Sequence, residues 1–395
     1  MNNSEIIKYC TGCGACVSEE KAAFVMNKGG FRVPSPRSDD FTRYCNSVCF
    51  SSGCQYRNYH GKINIWGTIL SSHYAYATNP SVRLSSSSGG CLTALCVYLL
   101  KSGKIDGVVH VMENPQNPIE TTTVISYNEN EIISRNGSRY SSSSPLIEIT
   151  KYVHTNKKYC FVGKPCDVAT LRNIMEQDIK YKEVFIYLFS FFCAGAPSIH
   201  ANELLLKKMG TELHMVRSLR YRGDGWPGYA TAIDKNGQKH KLYYRTAWRD
   251  TLGRDIRPIC RFCIDGIGEM ADIVCFDAWF MDAEKQPIFE EADGRNGVFC
   301  RTNKGERVYS EAVKAGYVSS SDYSCYDDEL RHIQKYQYTR RSTMPVTLLA
   351  MKLFFKSVPS YPSFFMLPLM RQCSWRISVS RFIGTIKRIL KGRIQ

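Results

Sequence analysis

Three thiols, Cys10, Cys13 and Cys16, stand three residues apart in the stretch CTGCGAC, with glycines between them. A run of this kind takes its shape from what it holds, so its partner constrains the fold before any periodicity does. The chain has 17 Cys in 395 residues, enough for a disulfide scaffold, a metalloprotein or scattered buried thiols. Its first residues, MNNSEIIKYC, lack the basic region and apolar run of an export signal. A cytoplasmic chain is therefore expected, and in a reducing compartment clustered thiols point to metal rather than to disulfides.

Spacing separates zinc from iron–sulfur. Structural zinc closes a tetrahedron with two pairs of ligands, and three cysteines at equal intervals do not divide into pairs. They match the first three positions of the bacterial ferredoxin run C-x2-C-x2-C-x3-C-P, where glycines let the backbone pass close to a [4Fe–4S] cluster. The fourth position of that run is Glu20 here, and in the motif that cysteine serves another cluster, so a distant CP-like element is needed. RYCNSVCF supplies one. Cys49 is expected to complete the set, with Phe50 where proline is usual and with Cys45 and Cys54 as substitutes.

Further thiols recur in short punctuated motifs. FVGKPCDVATLRNI sets Cys166 after a strand-like run and a Gly-x-Pro turn, at the start of a helical pattern. VFIYLFSFFCAGAPS ends a β-rich run with Cys193 in a turn, and RPICRFCIDGIGEMADIVCFDAW carries the pair Cys260 and Cys263. Singly, Cys166 and Cys193 read as small buried hydrophobes and the pair as half a zinc site. Jointly the four suit a second [4Fe–4S] cluster.

The blocks SSSSGGCLTALCVYLL, GKPCDVATLR, FFCAGAPS, LRYRGDGWPGY, CRFCIDGIGEMADIVCFDAW and GVFCRTNKGER occur in this order along the chain. In order and punctuation they resemble the coenzyme F420 hydrogenase/dehydrogenase beta-subunit family, over about residues 1–310 with a ferredoxin-like leader in front. Members of that family are flavin-dependent iron–sulfur oxidoreductases, and their relatives include a plant chlorophyll-cycle reductase. The resemblance implies FAD and iron–sulfur clusters here. Where the family usually has GTPCQ and CHGxPS, this chain has GKPCD and CAGAPS, so Lys164, Asp167 and Ala194 change the polar surroundings of retained cysteines.

With the resemblance in place, Ser85–Gly90 reads as a turn at the N-terminus of the helical pattern CLTALCVYLLKSG, a ready site for a pyrophosphate. Ser88, Gly89, Gly90 and Thr93 are the expected FAD contacts. YRGDGWPGY, with Arg222 and Trp226, suits a loop that stacks a flat ring and meets anionic groups, or equally a hairpin between VRSLRYR and YATAIDK. Lys164 reads as a phosphate partner or a solvated lysine, and Asp272 and Asp277 as cofactor-orienting groups or solvated aspartates flanking a strand. The GxGxxG fingerprint is absent, so a Rossmann site finds no support.

Four regions follow: a 4Fe–4S leader over 1–60, a flavin-binding region over 65–155, a catalytic region with the second cluster over 156–320, and a basic tail over 331–395. The leader has little periodicity and is expected to fold around its cluster. The middle regions alternate strand-like and helical runs, which predicts an α/β or α+β core with mixed sheets. The tail carries 13 Lys and Arg and no Asp or Glu, leaving +3 of the formal +16 for everything before it. Its cations alternate with apolar residues, Phe382, Ile383, Ile386, Ile389, Leu390 and Ile394 near helical spacing. That composition predicts a helix lying on an anionic membrane face, or docked on the protein's own body, and speaks against nucleic acid. Prolines and lysines within 345–370 speak against a transmembrane span.

The function expected is an FAD- and iron–sulfur-dependent oxidoreductase, its clusters passing single electrons to a flavin that acts on a deazaflavin-type or other organic substrate, with surface-polysaccharide metabolism one setting. Its partners are then an electron-donor protein or reduced coenzyme and a small-molecule substrate. The alternative is a flavin-free iron–sulfur electron-transfer subunit that docks to a catalytic partner. A third reading, a zinc-stabilised binding protein, requires colourless metal in the same thiols.

Overall fold

FIYLFSF, Phe185–Phe191, is apolar on both sides of its alternation, which suits a strand covered on both faces rather than half-exposed. It lies in the middle of the principal sheet of the computed structural model, which describes residues 1–392 apart from 58–60 and 62. The strands are β1 Ala22–Met26, β2 Arg32–Pro36, β3 Ser71–Ala77, β4 Gly107–Asn114, β5 Asn117–Ser126, β6 Tyr159–Val162, β7 Phe185–Phe191, β8 Val216–Arg220, β9 Tyr229–Asp234, β10 Lys239–Tyr243, β11 Ile273–Asp277, β12 Asn296–Cys300 and β13 Val318–Asp322.

Eight of them form one mixed sheet in the order β13-β3-β12-β11-β7-β6-β4-β5, and β10-β9-β8 and β1-β2 form smaller antiparallel sheets. The pairings β4·β6, β6·β7 and β7·β11 are parallel, and the flanking strands are antiparallel. The expected α/β core with mixed sheets is therefore the fold observed. One face packs the helix Cys91–Lys101 against Cys160, Phe189, Ile273 and Val298, and the other packs Pro165–Gln177 against Val109, Phe161 and Leu188. Strands from both central regions interleave in this sheet, and the stretches VRSLR and YATAID form the hairpin partners β8 and β9.

On β4, Nε2 of the largely buried His110 lies 2.7 Å from Ser126 Oγ. Burial, reinforced by Arg135, pulls its pKa from 6.5 down to about 4. The unfolded chain then binds this proton more readily than the fold does. The ring's contribution is present above about pH 6.5 and is lost as pH falls toward 4, at a cost of about 2 kcal/mol after allowance for residual solvent contact. Urea midpoints of His110→Gln and the parent are expected to converge over that window.

The basic tail is not one appended helix. Lys335–Leu353 buries Met344, Leu348 and Met351 against Tyr9, Phe50, Tyr56, Ile259 and Ile264, so leader, body and tail share one core. Trp375–Leu390 lies along it, turning Ser378, Thr385 and Ile389 inward while Trp375 and Leu390 stay about 70% exposed. Of the expected apolar stripe, Ile389 is buried, Phe382 and Ile386 are half-buried, Ile383 is exposed, and Ile394 lies outside the described residues. Among the described residues no helix is long and apolar enough to cross a membrane.

Candidate metal centre

Parallel strands end in loops that gather side chains at their carboxyl edge. Here β6 runs into Gly163-Lys164-Pro165-Cys166 and β7 into Phe192-Cys193, so two cysteines distant in sequence emerge side by side. Pro165 at the first helical position, and the Lys164 N–H donated to Asp167 Oδ2 at 3.1 Å, start the helix that carries Cys166. Cys260 and Cys263 come from the short helix Pro258–Arg261 and the turn after it. These four cysteines line one buried cavity with Thr11, Phe50, Lys164, Asp265 and Arg340.

The leader folds over the same end. Cys10, Cys13 and Cys16 follow the helix Asn3–Lys8, and Cys49 follows the helix Asp40–Val48, its N–H bonded to Cys45 O at 2.8 Å. Gly12 and Gly14 have φ of +79° and +90°, and a Cβ on either would collide with the Arg257 guanidinium or with Ile147. Glycine is thus required for the run to pass these neighbours.

Burial pushes the Cys10 thiol up to about 11 against the pull of Arg257, and Cys13 to about 12, with Asp167 adding to the rise. Cys16 is raised first by its hydrogen bond with Cys45 and then by burial. Cys49 is raised by burial and then by Cys13, Cys10 and Cys16. Cys45 meets Cys16, whereas Cys54 accepts a hydrogen bond from Asn173 at 2.9 Å and turns elsewhere. In the other set, burial lifts Cys166 strongly, Cys193 to about 11 and Cys263 to about 12. Buried thiols of this kind give up their protons to a bound cation, whose charge replaces them.

The two sets adjoin. Thr11 lies between Cys10 and Cys13 and Phe50 follows Cys49, yet both line the second cavity. Asp167, next to Cys166, acts on Cys13. Around tetrahedral zinc, sulfurs 2.3 Å from the metal stand about 3.8 Å apart, and no three of the eight cysteines gather within 4.8 Å among the described residues. Four thiols that each bind a separate iron need that wider spacing. Buried polar atoms without a partner surround both sets, namely Thr11 Oγ1, Arg257 Nη2, Asp265 Oδ2 and Arg340 Nε. One trio does close to 4.8 Å, His73, Cys300 and Glu306, but Ser71 Oγ links its histidine and its carboxylate by hydrogen bonds.

The residues expected to hold a flavin fall into two places. Lys164 belongs to the cysteine cavity, bonded to Asp167 at 2.7 Å and to Ser143. The Ser/Gly turn and YRGDGWPGY meet, Gly225 N–H reaching Leu84 O at 3.4 Å. Their contacts are with protein. Ser88 Oγ donates to Arg295 O at 2.9 Å, Gly89 O accepts from Ala77, and the Cys91 N–H just beyond Gly90 goes to Asn296 Oδ1 at 3.1 Å. Thr93, two residues into that helix, is half-buried. Arg222 is clamped on Asp277 at 2.7 and 3.0 Å, and Trp226 stacks on Trp279 with centroids 4.4 Å apart. In this packing Ser88, Gly89, Arg222 and Trp226 are engaged with protein. Asp277 is thus an anchor for Arg222 and for Trp226 Nε1, while the buried Asp272 joins Arg172, Thr302 and the Leu188 N–H.

Sequence reasoning missed Arg257, Gln337 and Arg340. Arg257 precedes the CxxC pair by three residues, a usable signal, but Arg340 is 80 residues beyond Cys260 and nothing local marks it.

The chain is similar to known proteins over much of its length. Residues 72–151 match the family described as coenzyme F420 hydrogenase/dehydrogenase, beta subunit N-term, and residues 156–324 match the corresponding C terminus. The chain is 25% identical over 244 residues to the F420-dependent formate dehydrogenase subunit beta of Methanocaldococcus jannaschii, covering 61% of this chain and 59% of that protein. It is 26% identical to the coenzyme F420 hydrogenase subunit beta of Methanosarcina barkeri, covering 61% and 78% respectively. The match thus spans about three-fifths of the length of the formate dehydrogenase relative. A chain of the F420-reducing [NiFe] hydrogenase complex from Methanosarcina barkeri shares the fold, with a TM-score of 0.57 and 22% identity over 74% of this chain and 97% of that one. Two family matches that together cover well over half of its length, on a sheet with that same fold, establish that the chain belongs to the coenzyme F420 hydrogenase/dehydrogenase beta-subunit family.

Proposed function

We propose that this oxidoreductase-family chain is an iron–sulfur electron-transfer subunit that carries electrons between a redox partner and an acceptor. The observation that carries the reading is the pair of adjoining buried thiol sets, four cysteines in each, ringed by unpartnered polar atoms. Cys10, Cys13, Cys16 and Cys49 would hold one [4Fe–4S] cluster and Cys166, Cys193, Cys260 and Cys263 the other. When bound, such clusters accept and release single electrons. The chain's own part is to keep water out, to place Thr11 and Phe50 between the sets, and to neutralise Lys164 with Asp167 beside Cys166.

The relatives named as subunits of F420-dependent enzymes support a catalytic partner and a deazaflavin-type acceptor. A role in surface-polysaccharide metabolism rests on the family resemblance alone. Bound FAD would make the chain an enzyme in its own right, and the packing of Ser88, Gly89, Arg222 and Trp226 on protein favours the relay. Protein purified without oxygen is expected to carry near eight irons and to release no flavin on denaturation. One flavin per chain would overturn the flavin-free reading, and zinc in place of iron would overturn both.

The tail supports a second contact, with an anionic membrane surface at the inner face of a cytoplasmic membrane. Trp375, Val379 and Ile383 share a shallow groove with Arg376 and Lys387, and the segment carries no acidic residue. An apolar stripe facing outward between cations suits a lipid interface. Vesicles containing phosphatidylglycerol are expected to retain the protein at low salt. Trp375→Glu with Ile383→Glu should weaken retention by roughly tenfold or more, since both side chains leave the lipid. Equal retention on neutral vesicles, or none on anionic ones, would remove this contact.

A further inference from the structure

The helix Lys335–Leu353 lies beyond the family match, which ends at residue 324, yet it turns three long polar side chains into the protein. Gln337, Arg340 and Arg341 are all at least 96% buried. Buried polar residues at this density need partners, because each otherwise forfeits its hydration. Arg341 has one in Glu269, whose Oε2 accepts from Nη2 at 2.7 Å.

Arg340 is different. Its Nη1 donates to Cys260 O at 2.9 Å, and its Nη2 to Gln337 Oε1 at 2.6 Å and Cys193 O at 3.3 Å. Gln337 Nε2 donates to the same Cys193 O at 2.9 Å. Nε is buried without a partner, and no carboxylate lies within ion-pair distance among the described residues. Asp265 lines the same cavity, but its Oδ1 accepts the Glu269 N–H at 2.8 Å. The aromatic ring of Tyr336 beside the guanidinium brings no full charge. A guanidinium is therefore buried without a carboxylate partner, beside the sulfurs of Cys193, Cys260 and Cys263, which become negative when they bind a metal.

The leader repeats the arrangement. Arg257 is 2% exposed, donates to Arg32 O at 3.0 Å and Cys10 O at 3.5 Å, and leaves Nη2 buried without a partner. Asp167, a carboxylate that feels its charge, is already paired with Lys164 at 2.7 Å. Each thiol set thus has its own uncompensated buried arginine, one from the family's common body and one from the C-terminal extension.

We infer that Arg340 is a positioning and potential-setting residue for the group held by Cys166, Cys193, Cys260 and Cys263, and that Arg257 serves the Cys10 set in the same way. Four thiolates leave an iron–sulfur cluster with net negative charge, and each added electron makes it more negative. A fixed guanidinium favours the reduced form and raises the potential, while its bonds to Cys193 O and Cys260 O fix the loops that carry the ligands. The C-terminal helix is in this view part of the redox site and not only a surface element.

This inference rests on the iron–sulfur reading above, and the experiment separates the two. Full-length protein, purified without oxygen, is titrated potentiometrically while the EPR signals are followed, for the parent, Arg340→Gln, Arg340→Lys and Arg257→Gln. Arg340→Gln is expected to move one of the two reduction steps to a more negative midpoint and leave the other near its parent value. Arg257→Gln should move the other. Arg340→Lys, which keeps the charge, should stay near the parent midpoint, and it decides the matter if the glutamine variant loses iron. Unmoved midpoints in protein that retains its iron, a lysine variant shifted as far as the glutamine one, or both arginines acting on one signal would overturn the inference. A parent protein without iron would instead overturn the reading on which it rests.

Discussion

Cys263→Ser is expected to remove about half of the bound iron and of the visible charge-transfer absorbance, and Cys13→Ser the other half, because each substitution takes a ligand from a different thiol set. Serine keeps the volume of Cys263 but is a poor ligand for iron, while the fold around it rests on Ile259, Phe262 and Ile264, which stay in place. Loss of one set should leave the other spectroscopically intact. The pattern differs from that of a purely structural cysteine, whose replacement would lower stability without touching iron. Unchanged iron in both variants would remove the two-site assignment, and complete loss in either would reduce it to a single shared site.

The largest stability effect is expected at the buried pair Arg341–Glu269, 2.7 Å apart with both side chains almost inaccessible. Arg341 also donates to Ile264 O and Asn64 O, so it ties the C-terminal helix to the loop after Cys263 and to the segment before β3. Glu269→Ala leaves that guanidinium buried and uncompensated, at a cost of about 3–5 kcal/mol. Thermal or urea unfolding of the full chain should show it directly. The double variant Glu269→Leu with Arg341→Met is expected to recover much of the loss, because replacing both charges by apolar groups removes the desolvation cost together with the attraction. A single variant as stable as the parent would show that the helix is not held there.

The physical reason for what was legible is that some signals are local. FIYLFSF announces a strand buried on both faces, and Gly-x-Pro before Cys166 announces a strand-to-helix turn at the carboxyl edge of the sheet. The cysteine spacing in CTGCGAC is a local signal for an iron–sulfur loop, and the spacing of RYCNSVCF points to Cys49, which stands directly after the helix Asp40–Val48. Other signals were ambiguous at short range. YRGDGWPGY has the composition of a ring-stacking loop and of a hairpin turn, and the hairpin between β8 and β9 is what forms, with Trp226 stacked on Trp279. Asp272 reads from sequence as a cofactor-orienting group or a solvated strand flank, yet it is 1% exposed and receives four donors, because the strand end on which it sits is covered by elements whose residues lie far away in sequence.

The tail shows the limit most clearly. Its charge and periodicity predict an interfacial helix, but burial is decided by the surface that waits for it. Cysteine loops at the end of the sheet present carbonyl oxygens at Cys193, Cys260 and Ile264, and these accept from Gln337, Arg340 and Arg341. Composition counts those arginines as surface charge, and only the assembled loops make them interior. Of the apolar stripe read from sequence, Ile383 and Leu390 stay exposed, whereas Ile389 is buried.

The central claim is that two neighbouring buried clusters form one electron path, and EPR of the fully reduced, full-length protein tests it most directly. Adjacent paramagnetic clusters should couple, giving a broadened, split spectrum that collapses to a single simple signal in Cys263→Ser. Two sharp, independent signals in the parent, unaffected by loss of either set, would contradict a shared path, and a spectrum without any cluster signal would contradict the iron–sulfur assignment itself.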